Sequence, residues 1–177
     1  MSLKRWKRLS SEVVIDNGFW KYKMDRFELP GGKPGEYHYL HSPGSTLVIP
    51  FTKNGEVILV KQYRFLNEKD GWEFPCGSVE EKLSLEENAI KELREESGFT
   101  AGKIEKVSEF SPFTGASDEI CHVFVASELS HSPLNGDETE EFEVKAFSIS
   151  EFNNMVKTNQ IWDGLTLSAY ALNLHLF

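Results

Sequence analysis

The stretch GWEFPCGSVEEKLSLEENAIKELREESGF, residues 71–99, decides how the rest of the chain is read. Trp72-Glu73-Phe74 is a short extended segment that runs into the turn Pro75-Cys76-Gly77. Ser84, with Glu87 three residues on, forms a capping box, and Gly98 is a C-terminal stop. The spacing therefore predicts a helix from Ser84 to Ser97. At about 100° per residue, Leu85, Ala89, Ile90 and Leu93 form one apolar stripe. Glu92 and Glu96, four apart, project together at one border of that stripe, and Glu95 lies beside them.

Three carboxylates on adjacent helical turns repel one another unless they are solvated or neutralised. An acidic face in water satisfies the first condition. A hard divalent cation with oxygen ligands satisfies the second, and Mg²⁺ takes few carboxylates while sharing its shell with substrate phosphates. The acids border the apolar stripe, where a merely solvated group need not sit. The Pro-Cys-Gly entry allows close backbone approach, so the Cys76 carbonyl is a candidate further ligand.

The bulk composition narrows the partners. The chain has 177 residues, 40% hydrophobic and 27% charged, which suits one soluble α+β domain with a substantial core. A formal net charge of -9 argues against a nucleic-acid backbone or an anionic membrane as the main partner. It leaves open a small phosphate ester carried in on a metal ion. Two isolated cysteines, Cys76 and Cys121, make neither a disulfide framework nor a metal-ligand set. With no apolar run of the ~18 residues a membrane span needs and no apolar signal core at the start, the expected location is the cytoplasm.

Along the chain, Val13 to Ile15 and Trp20 to Met24 flank Asn17-Gly18, a hairpin cue. Residues 37–40 and 45–51 are strand-like. Asn54-Gly55 predicts a second hairpin between Thr46–Phe51 and Glu56–Arg64, whose Val57-Ile58-Leu59-Val60 run suits a strand buried on both faces. After Gly98, strands are expected over 104–110, 120–126 and 142–149, with helices from Ser150 to Lys157 and from Asp163 or Thr166 to His175.

Residues 71–99 closely resemble the Nudix box, which reads Gly, five residues, Glu, seven residues, Arg-Glu-aliphatic-any-Glu-Glu-any-Gly-aliphatic. Gly77, Glu92, Leu93, Glu95, Glu96, Gly98 and Phe99 fall in register. Leu83 stands where the pattern has its first Glu, and Lys91 where it has Arg. Gln62-Tyr63-Arg64, Trp72 to Gly77, Thr114 to Glu119 and Ile161 to Thr166 resemble the ADP-ribose pyrophosphatase branch of that family.

The resemblance implies an α/β/α sandwich with a mixed sheet over 45–177, preceded by an N-terminal β-rich segment, 1–44, that includes a possible dimer contact. It implies Mg²⁺-dependent hydrolysis, with Mn²⁺ as an alternative, of ADP-ribose or a related nucleoside diphosphate sugar. Cys76 through its carbonyl, Glu92 and Glu96 would hold metal, with Glu95 in or beside the shell and also a catalytic candidate. The acidic run 137–141 occupies the place of the general base, with Glu138 the first choice and Glu140 the second. Arg64 is a candidate phosphate clamp and Glu119 a candidate substrate or metal contact. Trp6 and Trp20 resemble aromatics that stack adenine, often across a homodimer; core or dimer packing is the alternative. Other readings are a different substrate, such as GDP-mannose or a dinucleoside polyphosphate, and a degenerate nucleotide-binding regulatory module.

Overall fold

The structure, a computed structural model, describes residues 3–18, 20–136 and 141–177. The chain divides into two compact units, Met1–Pro43 with Ser111–Glu119, and Gly44–Phe110 with Ile120–Phe177.

The first unit is a three-stranded antiparallel meander of β1 (Lys7–Asp16), β2 (Lys21–Glu28) and β3 (Pro34–His41). The expected Asn17-Gly18 turn joins β1 to β2, with Gly18 at φ +87°, a conformation that favours glycine. Residues 111–119 close onto β3. Leu40 bridges Ser117, and Asp118 accepts from the Ser42 N–H at 3.0 Å while contacting His41 Nδ1 at 2.7 Å. Edge strand β1 is exposed along its whole length, Leu9, Val13, Val14 and Ile15 included.

The second unit contains β4 (Ser45–Pro50), β5 (Val57–Arg64), β6 (Lys69–Glu73), β7 (Cys76–Ser78), α1 (Leu85–Ser97), β8 (Phe99–Phe110), β9 (Cys121–His131), β10 (Glu143–Phe147), α2 (Ile149–Lys157) and α3 (Gly164–Leu172). Its four-stranded sheet has the order β7-β4-β9-β8 and is mixed, because β4 runs parallel to β9 and antiparallel to β7. A second sheet has the order β10-β5-β6.

Every residue of β4 is buried, and its alternation sorts two cores. Val48 joins Phe124 and Ala126 against Ala89 and Leu93 of α1. Leu47 and Ile49 join Val57, Leu59, Phe74 and Phe147, and Phe152 of α2 and Ala169 of α3. Helices thus cover both sides of the strands, the α+β sandwich that was expected. The C-terminal Phe177 stacks on Phe152 with centroids 5.0 Å apart and ties the chain end to this core.

One expectation fails. The segments on either side of Asn54-Gly55 do make a tight turn, with Thr52 N–H donating to Glu56 O at 2.8 Å, but they share only the single bridge Phe51–Val57. They then diverge into different sheets, because both edges of β4 are taken by β7 and β9.

Candidate active site

The site is built where β7 meets α1. Ser84 accepts from the Glu87 N–H, and Glu87 accepts from the Ser84 N–H at 2.8 Å, so the predicted capping box starts the helix. Gly98, at φ 76°, ends it. This frame fixes the rotation of Glu92, Glu95 and Glu96. The buried Glu96 carboxylate accepts the Cys76 N–H at 3.1 Å. Glu92 lies directly over Gly77, where any Cβ would overlap its carboxylate. Asn88, fully buried one turn earlier, donates to Thr46 Oγ1 at 2.8 Å and to the Ser78 carbonyl at 3.2 Å, and accepts the Glu80 N–H at 3.0 Å. One side chain therefore staples the helix to β4 and to the loop after β7.

The charge on this face is shared with Lys91. Its ammonium pairs with Glu95, lies 3.2 Å from Glu80 Oε1 and 3.8 Å from Glu92 Oε1. Burial opposes the ammonium charge, but the carboxylates of Glu95 and Glu80, then Glu92, outweigh it and hold the Lys91 pKa well above its usual value. Among the described residues, no three His, Cys, Asp or Glu side chains stand ready-grouped around a metal position. The donor set nevertheless fits a hard divalent cation. It is carboxylate and carbonyl oxygen, it is largely removed from water, the missing Cβ of Gly77 lets the Glu92 carboxylate pack against the loop backbone, and the Lys91 ammonium already sits against the acids.

A second charged group stands beside it. Arg64, at the end of β5, grips Glu73 of β6, with Nε 3.0 and 3.1 Å from the two carboxylate oxygens and Nη2 on Oε2. Glu73 is buried. Burial pushes its carboxyl up, Arg64 opposes that, and Asp163 adds to it. The hydrogen bond to Glu73 raises Arg64 in turn, and the charges of Asp163 and Glu96 reinforce the shift. Asp163 caps α3 by accepting the Thr166 N–H at 2.7 Å, and Thr166 accepts the Phe74 N–H at 3.0 Å. The Cys76 thiol is pushed well up by its hydrogen bond with Cys121 and by burial, which disfavours the thiolate.

Structure thus brings Cys76, Glu92, Glu95 and Glu96 together and puts Arg64 near Glu96. Glu119 and Trp6 belong to the first unit. There Trp6 stacks on Phe27 with centroids 4.4 Å apart, and both line an open cavity of about 530 Å³ with Arg8, Asp25, Tyr37 and Tyr39. Trp20 does not line that cavity; it sits at the β1–β2 turn, its N–H donating to Asn17 Oδ1 at 2.7 Å. Glu138 and Glu140 lie outside the described residues. Two partners escape the sequence reading, Glu73 and Glu80. A lone acid inside an aromatic stretch marks Glu73; Glu80 carries no local signal.

Comparison with known proteins shows the family and the fold. The NUDIX domain family model matches residues 41–168. An ADP-ribose pyrophosphatase of Bacillus subtilis (strain 168) is 33% identical over 168 residues, 94% of this chain and 90% of that protein. A methanol dehydrogenase activator of Bacillus methanolicus is 30% identical over 165 residues, 92% of this chain and 89% of that protein. A solved structure described as an ADP compounds hydrolase matches with a TM-score of 0.84 at 21% identity, over 97% of this chain and 94% of that one, a likeness of fold.

Proposed function

This chain belongs to the Nudix family and is a Nudix hydrolase related to ADP-ribose pyrophosphatases, and from that premise we propose that it splits the diphosphate bond of ADP-ribose or a related nucleoside diphosphate sugar. The products are a nucleoside monophosphate and a sugar phosphate. The observation that carries this reading is the packing of the Cys76–Gly77 backbone onto the carboxylates of Glu96 and Glu92.

In this reading Glu92, Glu95 and Glu96, with the Cys76 carbonyl, hold Mg²⁺ or Mn²⁺. When bound, such an ion neutralises diphosphate charge and acidifies water. The remaining work falls to the chain. Arg64, held in place by Glu73, offers its exposed edge to a phosphate oxygen. Glu138, or Glu140 in its stead, accepts the proton of the attacking water. Glu119 contacts the substrate. The aromatic cavity of the first unit suits a purine ring, with Trp6 as its stacking face. Residues 1–44 then serve base recognition and pairing with a second copy, to which the exposed apolar edge of β1 is suited, and 45–177 carry the hydrolysis. Two cysteines that form no disulfide suit a cytoplasmic setting.

The test is incubation with ADP-ribose and Mg²⁺, following AMP release, beside GDP-mannose and a dinucleoside polyphosphate. AMP release from ADP-ribose at the highest kcat/KM of the panel is the expected result. Faster turnover of another member would move the substrate assignment, and turnover of none would sink it.

A further inference from the structure

The family pattern places a Glu at residue 83, where this chain has Leu, and an Arg at residue 91, where it has Lys. The space around Lys91 is nonetheless not short of a second carboxylate. Glu80 reaches the ammonium with Oε1 at 3.2 Å from Nζ, on the side of Lys91 supplied by the loop after β7. That loop is placed there for a stated reason: the buried Asn88 accepts the Glu80 N–H at 3.0 Å and donates to the Ser78 carbonyl at 3.2 Å. The Glu80 backbone is thereby tied to the same helix that carries Lys91, Glu92 and Glu95.

We propose that Glu80 is a positioning residue that supplies the carboxylate missing at 83, by sharing the Lys91 ammonium with Glu95 and so keeping it from closing onto Glu92. The physical reason is competition. A lysine ammonium is a compact point charge on a flexible stem, and it already contacts Glu95 and approaches Glu92 to 3.8 Å. Without Glu80 its carboxylate partners among the described residues are Glu92 and Glu95, acids that, in the reading above, hold the metal. A divalent ion would then have to displace a bound internal cation. With Glu80 present, the ammonium is shared between Glu95 and Glu80 and stands 3.8 Å off Glu92. The idea rests on the assignment of Glu92, Glu95 and Glu96 to a divalent cation, but not on the identity of the substrate.

The experiment uses the full chain and four variants: Glu80→Ala, Glu81→Ala, Leu83→Glu, and Glu80→Ala with Leu83→Glu. Mn²⁺ affinity is measured by electron paramagnetic resonance without substrate, and melting temperature is followed in EDTA. Glu80→Ala should weaken Mn²⁺ binding about tenfold, the low end of what loss of a ligand-orienting partner does, with the melting temperature hardly moved. Glu81→Ala removes the same charge one residue on and should leave affinity near that of the unaltered protein. Restoring a carboxylate at 83 in the Glu80→Ala background should recover most of the lost affinity. Unchanged affinity in Glu80→Ala, an equal loss in Glu81→Ala, no recovery in the double variant, or no saturable Mn²⁺ binding by the unaltered protein would each overturn the proposal. Because Mn²⁺ binding is read without substrate, a protein that binds the ion and leaves ADP-ribose intact fails only the substrate assignment.

Discussion

Gly77 lies so close to Glu92 that a Cβ on residue 77 would overlap the carboxylate. The requirement for glycine here is one of space, since the neighbour is the acid that lines the candidate metal position. Gly77→Ala should therefore displace Glu92 before it unfolds the protein. Overpacking of this kind costs about 1–3 kcal/mol, and for a chain of this size each kcal/mol lowers the melting temperature by about 2–4 °C. Turnover should fall much further, on the order of 100-fold, because misplacement by an ångström at a reacting centre has that effect. Thermal melting and kcat on the same preparation check it; native turnover in the variant would show that the backbone yields instead.

Glu96 has two tasks that one substitution can separate. It accepts the Cys76 N–H at 3.1 Å and it carries a buried charge. Glu96→Gln keeps an acceptor for the N–H and removes the charge. The expected outcome is a melting temperature close to native with turnover reduced about 100-fold or more, the upper range for damage to a metal site's immediate surroundings. Full turnover in Glu96→Gln would remove this residue from the metal assignment.

How much of this was legible beforehand follows from how far each contact reaches along the chain. The helix, its Ser84–Glu87 cap and the common face of Glu92, Glu95 and Glu96 come from spacing within a few turns, and periodicity reports that directly. The divergence of β4 and β5 after a true tight turn depends on β7 and β9 claiming both edges of β4, which no local cue at Asn54-Gly55 carries. The Arg64–Glu73 pair needs the β5–β6 register, in which Arg64 stands opposite Lys69 rather than Glu73. The Glu80–Lys91 contact depends on a loop folded back by Asn88. Departures at Leu83 and Lys91 were plain in the sequence; the residue that answers them was not.

The Arg64–Glu73 pair should leave a signature in the pH dependence of stability. Glu73 is buried, which raises its carboxyl pKa, and the Arg64 hydrogen bond holds it down. Arg64→Ala removes the opposing influence, so the folded-state pKa rises further above the unfolded value. A carboxyl shifted that way destabilises the fold when ionised, above its folded pKa, and the penalty is relieved as pH falls below it. The variant should lose about 1–3 kcal/mol at neutral pH, less than a fully buried pair would, because the guanidinium is 39% exposed. The loss should shrink as the solution is acidified toward the ordinary Glu pKa of about 4.3. Adding Glu73→Gln to Arg64→Ala should flatten that dependence. Urea unfolding across this pH range measures both; a pH-independent loss would assign the effect to packing of the arginine stem.

The two early tryptophans divide sharply in their surroundings. Trp6 stacks on Phe27 and lines the cavity of about 530 Å³, whereas Trp20 sits at the hairpin turn outside that lining. If the cavity receives the base, truncating Trp6 removes a stacking face worth about 1–3 kcal/mol, and each 1.4 kcal/mol is about tenfold in affinity. Trp6→Ala should therefore raise the KM for ADP-ribose about tenfold while leaving kcat close to native, since the stack binds ground state and transition state alike. Trp20→Ala should move neither. Steady-state kinetics on both variants, with ribose-5-phosphate-linked diphosphates lacking a base as a control substrate, separates the possibilities. The control should respond equally in native and Trp6→Ala protein, because it has nothing to stack. An equal rise in KM for the baseless substrate, or a fall in kcat without a change in KM, would mean that Trp6 supports the fold of the first unit rather than the base.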